Sequence, residues 1–191
     1  GRNISYSFSS GYFKEKFRKL HLKNHSYLNF DIQSCEHFPS IIALEKSLKG
    51  LNVTIPYKQE IIPFLDELDE TAKQIGAVNT IKFIGDNLLK GYNSDVVGFE
   101  KSIKSLLKNH HQKALILGTG GASKAVAYAL RKLKIEYDFV TRTPDEFQFG
   151  YSELNAELFD EYHLIINTTP VGTHPNTAEC PELNYSLFTE K

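Results

Sequence analysis

The stretch Gly50–Lys58 reads G-L-N-V-T-I-P-Y-K and sets three polar side chains among apolar ones. Asn52 and Thr54 can exchange hydrogen bonds with a ligand, and Lys58 offers three N–H donors on an amine that is normally protonated. In a strand, Asn52 and Thr54 would share one face because alternate residues point the same way. Such a row suits the binding and protonation of a polar small molecule. Taken alone, it also fits an ordinary half-buried edge strand followed by a surface lysine.

The elements around this stretch must position its polar row. Pro56 can end a strand and start a helix, which predicts Lys58 in the first helical turn. The apolar spacing extends this helix over Gln59–Ile75, and Gly76 is a typical helix end. The apolar residues predicted to face the core opposite the polar row are Leu51, Val53 and Ile55.

Two serines near the start of the chain add hydroxyl groups. Ser7 and Ser9 alternate with Phe8 in residues 1–13, which we interpret as a loop or extended segment with both hydroxyls on one side. The alternative is a Ser- and Gly-rich loop without a ligand. The predicted elements that follow are a helix within residues 10–23 with an apolar face of Tyr12, Phe13, Phe17 and Leu20, a strand-like run at Tyr27–Ile32 and a helix at Ser40–Leu48.

A second group of polar residues follows the central stretch. Asn79 lies in the run G-A-V-N-T-I, and Asp95 closes the run Asn93–Asp95. Between them the pattern predicts a hairpin with strands Thr80–Ile84 and Leu88–Tyr92, turning at residues 85–87. A helix should begin after Asp95, with a buried face of Val96, Phe99, Ile103 and Leu106.

The polar run at residues 108–113 predicts a domain boundary, with one domain over residues 1–108 and a second over residues 109–191. His110 and His111 lie in this run, and paired histidines can bind metal. No acidic or cysteine partner is near them in the sequence, so we interpret them as part of a solvated linker. No metal site is predicted.

The second half of the chain alternates strands and a helix. The predicted strands are Ala114–Leu117, Tyr137–Val140 and Leu164–Ile166, with a helix after the first and a short helix around Leu154–Phe159. This alternation predicts an α/β fold with a parallel sheet and right-handed crossovers.

The first strand of this half runs into Gly118, Thr119, Gly120, Gly121 and Ala122. Glycines allow the backbone to turn tightly and to approach a diphosphate, which the N–H groups and dipole of the next helix would hold. Ser123 stands at the third fingerprint position, so the match to G-x-G-x-x-G is imperfect. The alternative is a glycine-rich turn without a ligand.

The tip of the second strand favours NADP over NAD. NAD sites place an acidic residue there to bind the ribose hydroxyl, whereas this chain has Thr141, Arg142 and Thr143. A guanidinium can pair with the 2′-phosphate of NADP. Asp138 lies inside the strand, and we expect its side chain not to reach the ribose. The alternative for Arg142 is a solvated loop residue.

Taken in order, these motifs resemble the shikimate dehydrogenase family. The residues that carry the resemblance are Asn52-Val53-Thr54-x-Pro56-x-Lys58, Gly76–Thr80, Asn93-x-Asp95 and Gly118-x-Gly120-Gly121. The resemblance implies an N-terminal α/β substrate-binding domain followed by a Rossmann-like NADP-binding domain. It also implies reversible, NADPH-dependent reduction of 3-dehydroshikimate to shikimate in the synthesis of chorismate and aromatic amino acids.

The resemblance assigns a role to each motif. Lys58 and Asp95 match the catalytic pair, which also lies in the substrate pocket. The residues that match other substrate-binding groups are Ser7, Ser9, Asn52, Thr54 and Asn79. The residues that match the cofactor site are Gly118, Thr119, Gly120, Gly121, Ala122, Thr141, Arg142, Thr143, Asn167, Thr168 and Thr169.

The chain also departs from the family pattern. Ser10 and Phe13 stand where the serine motif usually has proline and histidine, and Ser94 and Thr141 are substitutions within the other motifs. The family continues beyond residue 191, and this sequence contains no methionine, so we expect a piece of a longer protein that lacks the C-terminal part of its cofactor domain.

Composition narrows the remaining alternatives. The formal net charge of −1 gives no basic excess for nucleic acid, and no apolar run approaches the roughly 20 residues of a membrane span. No secretory leader is apparent. Cys35 and Cys180 lie far apart, which favours a reducing cytoplasm.

The expected partner is a small-molecule substrate, and the expected oligomeric state is a monomer or homodimer. The other functions weighed are a quinate/shikimate dehydrogenase that uses NAD, a non-catalytic nucleotide-binding regulator and a purely structural module.

Overall fold

A computed structural model describes residues 1–5, 7–85 and 88–188 of the chain. Within these residues the strands form two four-stranded sheets. The helices are α1 (Phe8–Lys19), α2 (Phe38–Leu44), α3 (Glu70–Ile75), α4 (Asp95–Lys104), α5 (Gly121–Lys132) and α6 (Ala156–Glu161). The strands are β1 (Gly50–Asn52), β2 (Glu67–Leu68), β3 (Thr80–Ile84), β4 (Leu88–Tyr92), β5 (Lys113–Leu117), β6 (Glu136–Thr141), β7 (Gln148–Gly150) and β8 (Leu164–Asn167).

The first sheet has the strand order β1-β3-β4-β2. Strands β1 and β4 run antiparallel to β3, and β2 runs parallel to β4. The predicted strands of the β3–β4 hairpin are confirmed, although residues 86 and 87 of the predicted turn lie outside the described residues. Val53, Tyr57, Ile61, Val78 and Ile81 are buried in the core beneath this sheet.

The second sheet is entirely parallel and has the order β7-β6-β5-β8. This order corresponds to the 3-2-1-4 arrangement of a Rossmann-like half, so the predicted α/β fold is confirmed. Apolar side chains on both faces of β5 are fully buried, as a sheet covered on two sides requires. The chain adds β6 and β7 on one side of β5 and then β8 on the other side, and ligands of such sheets bind at the carboxyl ends of the strands where the strand order switches in this way.

Helices α3, α4 and α5 connect the two halves. Val96 of α4 packs with Ile75 of α3 and with Ala125 and Ala129 of α5 in one buried cluster. The small side chains on α5 allow the helices to approach closely. Helix α5, which follows the glycine loop, is therefore held against α3 and α4, the helices on either side of the β3–β4 hairpin.

Several local predictions are wrong. The single helix expected over Gln59–Ile75 is instead a series of turns, a 3-10 turn at Ile62–Phe64, strand β2 and helix α3. Backbone pairing decides this, because Asp66 N–H donates to Leu89 O and Asp69 N–H donates to Gly91 O. Gly76 does end α3, in the left-handed conformation that favours glycine.

The N-terminal predictions also need correction. Helix α1 begins at Phe8, within the segment predicted as a loop, and none of its residues is buried. The run Tyr27–Ile32 forms no strand; its backbone bonds to Gly1, with Ile32 N–H donating to Gly1 O at 3.0 Å and the Gly1 amine donating to Phe30 O at 3.5 Å. The residues of the predicted apolar faces that are exposed are Tyr12, Leu20, Ile55 and Leu106.

Candidate active site

Lys58 and Asp95 form an ion pair at the junction of the two halves. Lys58 Nζ donates to Asp95 Oδ2 at 2.6 Å, and the lysine side chain is only 17% exposed. Lys58 lies in a turn rather than in the predicted helix, and Val78 N–H holds its carbonyl at 2.7 Å. Asp95 is the first residue of α4, where the helix dipole stabilises a carboxylate. Two residues separated by 37 positions are therefore held as a pair.

Asn79 fixes the other side of this carboxylate. Its Nδ2 donates to Asp95 Oδ1 at 2.7 Å, while its Oδ1 accepts from Ser94 N–H and from Thr80 Oγ1, each at 2.9 Å. Both oxygens of Asp95 are thus engaged, one by Asn79 and one by Lys58. Among the described residues Asp95 is the acceptor for one Lys58 N–H, which leaves two N–H donors for a substrate.

Asn93 supports the same loop from beneath. Its side chain is 5% exposed, Nδ2 donates to Ala77 O at 3.0 Å, and Oδ1 accepts from Asp95 N–H at 3.1 Å. The two asparagines therefore bind the loop before α4 to the loop before β3. The sequence motif Asn93-x-Asp95 carries this structural role as well as a chemical one.

Four of the predicted substrate-binding residues line one cavity of about 210 Å³. Ser7 and Ser9 come from the start of α1, and Asn52 and Thr54 come from the end of β1 and the segment after it. The extended segment predicted for the serines is wrong, but their hydroxyl-bearing residues share one cavity. Thr54 is half-buried and Asn52 is exposed.

The N-terminus of α1 opens onto this cavity. Ser7 is the N-cap residue, yet its side chain forms no capping hydrogen bond, and the first turn contains no acidic residue. The unpaired N–H groups and the dipole of a helix start favour an anion. This end of the cavity is therefore suited to a carboxylate.

The glycine loop lies at the carboxyl end of β5, where the strand order of the parallel sheet switches from one side of β5 to the other. Gly118 has a φ of +99°, and a β-carbon there would stand 3.1 Å from Thr169 Cγ2 and 3.2 Å from Thr168 Oγ1. A β-carbon at Gly120 would meet no atom within 4 Å, which leaves open space before α5. Thr119 is exposed, and Ala122 lies half-buried in the first turn of α5. These features fit the diphosphate of a dinucleotide.

The helix after this loop touches the ion pair. A β-carbon at Gly121 would stand 3.1 Å from Lys58 Cβ and 3.3 Å from its Cδ. One turn further, Lys124 Nζ donates to Gln59 Oε1 at 2.8 Å. The candidate cofactor loop and the candidate catalytic lysine are thus direct neighbours.

The loop after β6 starts at the same edge of the sheet. Thr141 ends β6, Arg142 and Thr143 follow on the surface, and Gly118 N–H donates to Val140 O at 2.8 Å. The carboxylate of Asp138 accepts a hydrogen bond from Tyr162 Oη at 2.6 Å and is thereby engaged within the protein. Burial, together with Asp138, raises the pKa of Tyr162.

The third candidate cofactor segment, Asn167–Thr169, begins at the last residue of β8. Thr168 Oγ1 donates to Leu117 O at 2.6 Å, which ties this loop to the strand before the glycine loop. Asn167 Oδ1 accepts from Thr169 N–H at 2.9 Å and Thr169 Oγ1 at 2.6 Å, and its Nδ2 donates to Val171 O at 3.1 Å. The side chains of Asn167 and Thr169 therefore shape their own turn rather than extend toward a ligand.

Two contacts of the candidate site are indicated by no sequence motif. Tyr27 lines the cavity with the serines, and its hydroxyl accepts from Asn52 Nδ2 at 3.2 Å. The contact between Gly121 and Lys58 was also unforeseen. Neither has a local sequence signal, because each depends on chain segments far apart.

The described residues contain no group of three or more metal-ligating side chains able to hold an ion, and no helix among them is long and apolar enough to cross a membrane.

Comparison with known proteins connects this geometry to one group of enzymes. Residues 1–81 match the family described as "Shikimate dehydrogenase substrate binding domain". Shikimate dehydrogenase (NADP(+)) of Methanosphaera stadtmanae is 35% identical over 100% of this chain and 73% of its own length. The enzyme of the same name from Aquifex aeolicus is 42% identical over 86% of this chain and 64% of its own length.

The solved structures agree with the sequence relatives. Shikimate 5-dehydrogenase of Thermus thermophilus, in complex with NADP(H) and shikimate, superposes with a TM-score of 0.81. It is 29% identical and is matched over 99% of this chain and 73% of its own chain. Shikimate dehydrogenase of Aquifex aeolicus superposes with a TM-score of 0.76 at 36% identity, over 99% and 73% of the two chains.

Proposed function

Because this chain belongs to the shikimate dehydrogenase family, we propose that it catalyses the reversible, NADPH-dependent reduction of 3-dehydroshikimate to shikimate. The reaction serves the synthesis of chorismate and aromatic amino acids. The observation that carries the proposal is the Lys58–Asp95 pair, held at 2.6 Å beside the start of the helix that follows the glycine loop. Relatives with 35% and 42% identity that carry the name shikimate dehydrogenase (NADP(+)) support it.

The substrate carboxylate binds at the start of α1. Ser7 and Ser9 line the cavity there, and the helix dipole favours an anion. Asn52 and Thr54 line the same cavity and hold hydroxyl groups of the ring. Asn79 sets the position of Asp95 through its 2.7 Å hydrogen bond and lies at the reacting end of the site.

Lys58 supplies the proton in the reductive direction. The hydride for the carbonyl carbon would come from NADPH when it is bound, and the charge that develops on the substrate oxygen would require a proton. Lys58 has two N–H donors left after its bond to Asp95 and can donate one to that oxygen. Asp95 holds the ammonium in place, since Asn79 and Asn93 fix the carboxylate and the backbone that carries it. A positioned acid of this kind contributes about 10²–10⁴-fold.

The cofactor would be held by three loops at one edge of the parallel sheet. Gly118–Ala122 and the start of α5 would hold the diphosphate through backbone N–H groups. Thr141, Arg142 and Thr143 would hold the 2′-phosphate, and a guanidinium suits that group. The segment Asn167–Thr169 would border the nicotinamide side, with Asn167 and Thr169 acting through the shape of their turn.

The proposed organisation is a substrate-binding domain over residues 1–108 and an NADP-binding domain over residues 109–191. The two sheets fall on either side of this boundary, with β4 ending at Tyr92 and β5 beginning at Lys113. We propose a cytoplasmic enzyme, which is in keeping with the free thiols of Cys35 and Cys180. The oligomeric state, a monomer or a homodimer, stays a prediction.

Spectrophotometric assays of NADPH formation by the intact protein would test the function. Shikimate and quinate are compared as substrates, and NADP and NAD as cofactors. Turnover confined to shikimate with NADP is expected. Comparable turnover with quinate or NAD would overturn the assigned specificity in favour of the broader dehydrogenase. Tight NADP binding without turnover would instead identify a non-catalytic regulator.

A further inference from the structure

Tyr27 joins the two segments that form the candidate carboxylate pocket. Its hydroxyl lies 3.2 Å from Asn52 Nδ2, at the end of β1. Its ring stacks on Phe13 of α1, with centroids 4.9 Å apart and planes at 4°. The residue is half-buried and lines the same cavity as Ser7 and Ser9. Tyr27 is therefore held from both sides in the wall of the cavity.

The Tyr27 hydroxyl has a proton to donate. It accepts a hydrogen bond from the Asn52 amide, and a phenol can accept and donate at the same time. Within the described part of the chain, no acceptor takes its O–H proton. The stacked ring restricts the directions in which this proton can point, so the donor is preorganised for a ligand.

The surroundings of the hydroxyl favour an anionic acceptor. The described residues that line this cavity include no carboxylate, and they include the start of α1 with its unused N-cap serine. A hydrogen bond from a phenol to a carboxylate is stronger than one to a neutral hydroxyl. The pocket thus offers four hydroxyl-bearing side chains, from Ser7, Ser9, Tyr27 and Thr54, around a space that suits a negative charge.

We propose that Tyr27 is a substrate-binding residue that donates its hydroxyl proton to the substrate carboxylate, beside Ser7 and Ser9. This inference rests on the function proposed above. Tyr27 does not touch the reacting carbonyl, so its contribution lies in substrate affinity and not in the chemical step. Its bond with Asn52 also links recognition of the carboxylate to the residue proposed to hold a ring hydroxyl.

The first test compares Tyr27→Phe with the parent in the intact enzyme. Phenylalanine keeps the ring stacked on Phe13 and removes only the hydroxyl. Loss of a hydrogen bond to a charged group should raise KM for shikimate about 10-fold to 100-fold. The kcat at saturation, KM for NADP and the thermal unfolding midpoint should stay close to those of the parent. Tyr12→Phe is the matched control, because Tyr12 is an exposed tyrosine of α1 outside this cavity.

The second test identifies the group that Tyr27 contacts. Shikimate and its methyl ester are assayed with parent and Tyr27→Phe, which gives a four-corner cycle. If the hydroxyl binds the carboxylate, the substitution should raise KM for the ester much less than it raises KM for the acid. An unchanged KM for shikimate would overturn the proposal. Equal losses with acid and ester would overturn it too, because Tyr27 would then act only through Asn52. Absence of shikimate turnover in the parent enzyme would instead contradict the proposed function itself.

Discussion

Gly121 lies so close to Lys58 that a β-carbon at residue 121 would stand 3.1 Å from the lysine Cβ. The first residue of α5 thus borders the stem of the candidate proton donor. Lys58 itself is held by its ion pair with Asp95 at 2.6 Å. Any side chain at residue 121 must therefore displace either the lysine or the helix that follows the glycine loop.

Gly121→Ala is expected to lower kcat while leaving the fold intact. The added methyl group forces a shift of a few tenths of an ångström in Lys58 or α5. Since a misplacement of about 1 Å can cost about 10²-fold in rate, a loss of roughly tenfold is expected. Steady-state kinetics of shikimate oxidation would measure it.

Gly98→Ala provides the matched control for this substitution. Gly98 lies within α4, and a β-carbon there would meet no atom within 4 Å. Alanine in a helix interior is favoured over glycine by about 0.5–1 kcal/mol, so this variant should gain stability and keep its kcat. Equal kcat values for the two variants would show that the contact with Lys58 does not matter for turnover.

Lys58→Ala should lose turnover and keep substrate binding. Removal of a positioned proton donor is expected to reduce kcat by about 10²–10⁴-fold, with a small change in KM for shikimate. Stopped-flow or long-time assays would quantify the residual rate. Lys101→Ala is a suitable control because Lys101 is an exposed residue of α4. A large rise in KM at constant kcat would assign Lys58 to binding alone.

Arg142→Ala should weaken the preference for NADP. Arg142 is exposed just beyond the end of β6, where a guanidinium can pair with the 2′-phosphate. Loss of hydrogen bonds to a charged group predicts a rise in KM for NADP of about 10-fold to 100-fold, with KM for NAD unchanged. The ratio of kcat/KM for the two cofactors measures this effect. Arg131→Ala, on the exposed face of α5, should leave that ratio unaltered.

His111 should make the stability of the fold depend on pH. Burial, and after it the neighbouring charges of His110, Lys108 and His163, lower the pKa of His111 below its usual 6.5. Its Nδ1 also accepts from Lys108 N–H at 3.1 Å, which protonation would prevent. The unfolded chain therefore binds this proton more readily than the folded one, and stability present above about pH 6.5 is lost as the pH falls.

Urea unfolding at pH 7.5, 6.5 and 5.5 would test this dependence. His111→Asn should show a smaller loss of unfolding free energy toward acid pH than the parent. His21→Asn serves as the control, because His21 is exposed and asparagine tolerates its φ of 55°. The same pH slope in the parent and in His111→Asn would contradict the role assigned to His111.

The sequence predicted the second sheet well and the first one only in part. Apolar segments separated by polar ones locate β5, β6 and β8 to within one residue at each end, and the glycine loop marks the start of α5. The three-residue β7 is too short for such a pattern and is defined by its pairing with β6. The predicted helix over Gln59–Ile75 fails since Asp66 and Asp69 bond to β4, and no local pattern encodes that pairing.

In the candidate site too, the sequence predicts some residues, and others are found only in the structure. The motifs identify Lys58, Asp95 and Asn79 individually, and the structure joins them in one hydrogen-bonded group. The sequence predicts Tyr27 only as the first residue of a strand-like run. Its position in the cavity depends on stacking with Phe13 and on a bond to Asn52, which is 25 residues away. Contacts of this range are set by tertiary packing.

Helix α1 carries Ser7 and Ser9 at its start, yet no side chain along it is buried, and Phe8 is 80% exposed. A helix with so little buried surface opens at low free-energy cost, independently of global unfolding. A ligand that bridges its start to Asn52 would add the binding energy of the carboxylate to that small local stability. Amide hydrogen exchange in α1 should then be fast in the free enzyme and slow with shikimate bound, so that occupancy of the pocket is reported by the protection of a single helix.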